Sequence, residues 1–189
     1  YGKHGTEYEV PVAQCSISTN HFFVTCKTVP GAGKGLKWFI NIDGQQSITP
    51  STYFGAPTIT SIVGPSLALL STSGKETITL KGSNFGPSPL DAGALTKSPV
   101  TGLDFLEKVT YGPNGIEYAA SGCEVTVNSK EITCTTVAGV GAALKWVVTV
   151  EGQSSVEFAW SSYEPPVITS MVPVKGPTSG QTDAGARMR

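Results

Sequence analysis

His4 and His21 are the only imidazoles in the chain, so any Ser-His-Asp arrangement would have to use one of them. No G-x-S-x-G turn presents a serine for that purpose. Paired carboxylates of the glycosidase kind act across a gap that sequence spacing does not reveal. However, Glu117, Glu124, Glu131, Glu151 and Glu157 stand in strand or turn patterns, where solvation is the ordinary explanation. Gly31-Ala32-Gly33-Lys34-Gly35 has the glycines and lysine of a phosphate cradle. It lacks the four-residue spacer, and no Ser or Thr follows Lys34. A turn between strands accounts for it. We expect no catalytic residue, no cofactor and no enzymatic activity.

The remaining chemistry is thiol chemistry. Cys15 and Cys26 form one pair and Cys123 and Cys134 another, each with the same spacing. On a hairpin with a short turn the two ends lie opposite each other, within the ~4.4–6.8 Å Cα separation that a disulfide needs. Free thiols and a metal are the alternatives. A metal site needs close His or Cys partners, and both histidines belong to the first third of the chain. We therefore expect two disulfides and no metal; four alkylatable thiols in the native protein would count against this. Disulfides imply an oxidising compartment, and hence a secreted or cell-surface protein. The chain opens at Tyr1 without a signal-like stretch, so the case for export rests on the cysteines.

The formal charge of −1 gives no field to draw nucleic acid or an anionic membrane. No apolar run approaches the ~18 residues of a membrane-spanning helix, and heptads are absent. No Asn-x-Ser/Thr acceptor occurs. Ser and Thr number 41 and leave O-linked glycans open, although the preference of strands for Thr explains the abundance equally well.

The elements that must hold these cysteines repeat. Residues 35–45 (GLKWFINIDGQ) match residues 143–153 (ALKWVVTVEGQ) at an offset of 108, as do the cysteine pairs. Tyr1-Gly2 and Glu7-Tyr8 match Tyr111-Gly112 and Glu117-Tyr118 at 110, and residues 57–61 match 166–170 at 109. The unit is about 109 residues, the size of an immunoglobulin-like sandwich. With 22 Gly and 13 Pro among short alternating runs, the chain reads as all-β. Within the whole unit we expect strands at 77–80, 124–127, 131–133, 145–150 and 155–160. In the first copy we expect them at 14–18, 22–27, 36–42 and 47–53. Residues 87–104 read as a long loop. Trp38 and Trp146 occupy matching positions in apolar strands and are expected to be core aromatics.

The start of the whole unit, Pro57-Thr58-Ile59-Thr60-Ser61-Ile62 and then Thr77-Ile78-Thr79-Leu80-Lys81-Gly82-Ser83-Asn84-Phe85-Gly86, resembles the opening of an IPT/TIG domain. Its middle, Cys123 to Cys134 and a glycine-rich turn at Gly139 and Gly141, resembles the second half of that family. The resemblance implies tandem immunoglobulin-like β-sandwiches of the kind found in plexins, some transcription factors and many large surface proteins. It covers nearly the whole chain: an incomplete domain over 1–56 (later strands only), a complete one over 57–165, and an extended tail over 166–189 resembling the opening strand of a further repeat. It specifies fold better than role.

The first copy departs from the family in lacking its opening strands. A half-sandwich exposes unpaired edges and an apolar groove, and 56 residues bury little surface alone. The tail resembles the opening segment of the missing part, and the equivalent of Lys81 through Thr110 is in neither the first copy nor the tail. We therefore expect Val167, Ile168, Thr169, Ser170, Met171, Val172 and Val174 to form a strand donated to the incomplete domain of another copy, giving a fibre or surface appendage assembled head to tail. The alternative is a window of a longer covalent array, an adhesin or receptor ectodomain that binds a protein or glycan ligand.

Overall fold

The computed structural model describes residues 1–20, 22–48, 50–90, 95, 97–172 and 185–188. These residues are all-β, with antiparallel sheets, one 3-10 turn at Val12–Gln14 and no α-helix among them.

The first copy contributes β1 (Cys15–Thr19), β2 (Phe23–Cys26), β3 (Lys34–Lys37), β4 (Asn41–Ile42), β5 (Gln45–Gln46) and β6 (Ser51–Tyr53). The whole unit follows with β7 (Thr58–Val63), β8 (Thr77–Ser83), β9 (Leu106–Gly112), β10 (Tyr118–Ala119), β11 (Ser121–Val127), β12 (Glu131–Thr135), β13 (Leu144–Val150), β14 (Gln153–Ser154) and β15 (Phe158–Ser161). The tail carries β16 (Ile168–Val172) and β17 (Gly185–Met188).

In the whole unit alternation decides the packing. Ile78 and Leu80 of β8, Ile132 and Cys134 of β12, and Trp146 and Val148 of β13 all turn inward and are buried. One sheet has the order β11-β12-β8-β7. The other has β10-β9-β13-β14, with β15 also on β13. The buried residues of both sheets form one cluster, which Phe85 and Phe105 join from the flanks of the long 84–105 connection. Gly82 marks a close approach, because a Cβ there would meet the Thr58 carbonyl and the Phe85 ring. No strand lies between Ser83 and Leu106 among the described residues, as the run of Pro and Gly anticipates.

The first copy repeats the later elements of this unit. β1 pairs with β2 as β11 does with β12, and β3 with β6 as β13 does with β15. One expected strand, 36–42, is broken: it forms β3 and β4 with a gap at 38–40, whereas its counterpart runs unbroken as β13. β13 is held along its length by β9, from Lys145↔Gly112 to Val150↔Leu106. Among the described residues of the first copy one bridge of that ladder forms, Gly2↔Lys37. On the opposite side the gap keeps its backbone bonds, Trp38 N–H to the Pro50 carbonyl and Ser47 N–H to the Ile40 carbonyl, so what is lost is the pairing that β9 gives β13. Of the expected strands 47–53 and 155–160 only the later parts form, as β6 and β15; the short β5 and β14 end just before the expected ranges begin.

Candidate assembly interface

The first copy has a working core at one end. Tyr1 stacks on Trp38 at 4.1 Å between ring centroids and 6° between planes, and Tyr111 stacks on Trp146 at 4.1 Å and 8°. The Trp38 indole N–H donates to Thr52 Oγ1 at 2.7 Å, as Trp146 does to Ser161 Oγ at 2.8 Å. The Tyr1 hydroxyl donates to the Val29 carbonyl and Tyr111 to that of Val137, again at matching positions. Trp146 is fully buried and Trp38 half-buried. Tyr163 closes the second cluster, with 2.7 Å between its hydroxyl and that of Tyr111. Burial pushes the hydroxyls of Tyr1, Tyr111 and Tyr163 above the usual tyrosine value, and that of Tyr8 up to about 12.

A loop stapled by a carboxylate precedes each second tyrosine. Glu7 accepts from the backbone N–H groups of His4, Gly5 and Thr6 at 2.8–3.0 Å and lies 2.6 Å from the His4 ring. Glu117 accepts from the Asn114 and Ile116 N–H groups at 3.1 and 3.2 Å and from the Asn114 amide at 2.6 Å. Burial works to raise both carboxyls, but these hydrogen bonds outweigh it. They hold Glu7 at about 2 and Glu117 below its ordinary value. Gly2 and Gly112, at φ of +150° and +146°, leave the room that each carboxylate fills. The repeat matches these tyrosines and glutamates in sequence, and the signal of the staple is their shared Tyr-Gly-x-x-Gly-x-Glu-Tyr spacing.

The other end of the first copy is open. Ile17, Val24, Ile40 and Ile42 are 67%, 44%, 42% and 67% exposed. At the repeat offset their counterparts are Val125, Ile132, Val148 and Val150, which are 3%, 0%, 0% and 1% exposed. The side chains are of similar size and polarity; what differs is the cover. In the whole unit Ile59, Ile62, Ile78, Leu80, Phe105 and Val109 complete the same core from β7, β8, β9 and the residue just before β9.

The edges are open as well. β12 is paired along β8, from Glu131↔Lys81 to Thr135↔Thr77. Its counterpart β2 pairs only with β1 among the described residues. A cleft of about 560 Å³ at the junction of the two copies is lined partly by Thr28, Val29 and Pro30. Their counterparts begin at Thr136, whose N–H donates to the Glu76 carbonyl and whose carbonyl accepts from Lys75. The cleft thus extends over ground that, in the whole unit, carries the segment leading into β8.

Cys15 and Cys26 are joined as a disulfide, directly opposite in the β1–β2 register, and Cys123 is joined to Cys134. At the second pair, Gly122 and Cys123 together face Cys134 across a bulge. Ile168, Thr169, Ser170, Met171 and Val172 form β16, with Val167 just before it; Val174 and His21 lie outside the described residues. Val167, Ile168 and Val172 are exposed, and β16 pairs with β17. No cluster that could hold a metal occurs among the described residues, and none of their helices is long and apolar enough to cross a membrane. No family model, curated protein or solved structure matches the chain.

Proposed function

We propose that this is a non-enzymatic extracellular structural protein, built of tandem immunoglobulin-like (IPT/TIG) sandwiches and assembled head to tail into a fibre or surface appendage. The tail of one copy supplies β-structure to the incomplete first unit of the next. The observation that carries the reading is the contrast between Ile17, Val24, Ile40 and Ile42, all exposed, and their four buried counterparts. Fully covering a side chain of this size is worth about 1.5–3 kcal/mol. A patch of four beside an unpaired strand edge is therefore a strong driver of association. The two disulfides fit an oxidising compartment and hence an exported protein. Copies of itself are the expected partner; nucleic acid is not, given the near-neutral charge.

Electron microscopy of the native material, with an intact mass of its dissociated subunit, tests this. Filaments that dissociate without proteolysis into chains of about 19.7 kDa, the mass of this sequence, support donation between copies. Filaments of a much larger covalent chain would mean that the first unit is completed within its own chain. A stable monomer that binds a protein or glycan would favour an adhesin or receptor ectodomain.

A further inference from the structure

We propose that the open face is filled by the β16–β17 hairpin of a second copy, in one register: Arg187 opposite Phe23, Ala186 opposite Val24, and Gly185 opposite Thr25. This rests on the donation reading and adds which strand meets which. The chain supplies the filled version of this face in its whole unit. There β8, not β7, is the strand that lies on β12, with Lys81 opposite Glu131, Leu80 opposite Ile132 and Thr79 opposite Thr133. β7 covers the outer edge of β8, with Ile62 opposite Leu80, Val63 opposite Thr79, and a slip between Ile59 and Ser61.

The tail repeats that hairpin. Residues 168–172 align with 59–63 at the repeat offset of 109. Met171 lies opposite Ala186 and Val172 opposite Gly185, and the slip falls between Ile168 and Ser170, at the matching step. Gly185, Ala186 and Arg187 thereby take the places of Thr79, Leu80 and Lys81. At the offset of 108, Phe23, Val24 and Thr25 take those of Glu131, Ile132 and Thr133. Combining the two mappings fixes the register between copies. Within one copy, β16–β17 is a separate two-stranded sheet from β1–β2, so the pairing joins different copies. The contact uses different surfaces on its two sides, and such contacts propagate into open chains unless the rotation closes a ring. The junction also loses the Lys81–Glu131 ion pair of the whole unit, because Phe23 stands where Glu131 would be.

A slip of one residue would change which β17 position stands opposite each β2 position, so paired cysteines report the register. Four full-length double variants are assembled, oxidised mildly and run without reductant. F23C/R187C and V24C/A186C are the matched pairs; F23C/A186C and V24C/R187C are the slipped ones. The matched variants are expected to give a ladder of covalent multimers at least tenfold stronger than the slipped ones. Equal or stronger ladders from the slipped variants would overturn the register, as would filaments that none of the four pairs cross-links. If the unmodified chain forms no assembly at all, the donation reading fails, and this inference fails with it.

Discussion

At the scale of single residues, the duplicated framework is held by two different kinds of contact. The stacked Tyr1–Trp38 and Tyr111–Trp146 pairs are nearly superimposable in separation and tilt. Their matching was legible in sequence, because Trp38 and Trp146 stand in the longest repeated run. The Glu7 and Glu117 staples were less legible, because a carboxylate that accepts backbone N–H groups three residues upstream looks like any solvated surface glutamate. Their pKa values carry a consequence for stability. A carboxyl whose folded value is depressed favours the folded state fully above the unfolded value of 4.5, and that contribution is lost as pH falls through the folded value, about 2 for Glu7. The thermal midpoint of the chain should therefore fall between pH 4.5 and 2. In an E7Q/E117Q variant the fall over that window should be shallower. Identical slopes in thermal melts of the two proteins would show that the staples do not govern acid sensitivity.

At the scale of elements, the same strand behaves differently with and without a neighbour. Residues 144–150 form one strand because β9 lines its edge, whereas residues 34–42 form two fragments around a gap. Intrinsic preference does not separate them, because both runs carry β-branched or aromatic residues. The hairpin of β11 and β12 was readable from Asn128-Ser129-Lys130, and Ser129 there adopts a φ of +60°. β9 was not readable. The bulge between Leu106 and Lys108 leaves Glu107 and Lys108 both exposed and breaks the alternation that would have announced it. The missing cover predicts a contrast between matched substitutions. Ile132→Ser removes a fully buried side chain and should cost about 2–5 kcal/mol in urea unfolding. Val24→Ser should change the dissociated subunit by only about 0.5 kcal/mol, while sharply weakening assembly by sedimentation. A Val24→Ser subunit as destabilised as Ile132→Ser would mean that Val24 is already covered within its own chain.

At the scale of the whole molecule, the first unit and the tail repeat different parts of one 109-residue design: the first unit exposes apolar positions and the tail hairpin keeps the β7–β8 register. Periodicity revealed that design, since the matches at offsets of 108–110 run through both ends. The pairing of β16 with β17 was not visible in advance. Gly185-Ala186-Arg187-Met188 shares almost no residue types with the β8 segment it stands for, and only the backbone register reveals the correspondence. The proposed donation covers residues 23–26 with the tail hairpin of another copy. Amide hydrogen exchange on native material, before and after dissociation to single chains, measures that cover directly. Slow exchange at 23–26 in the assembly, with loss of protection on dissociation while β12 stays protected, is the predicted result. Equally fast exchange at 23–26 in both states would contradict it.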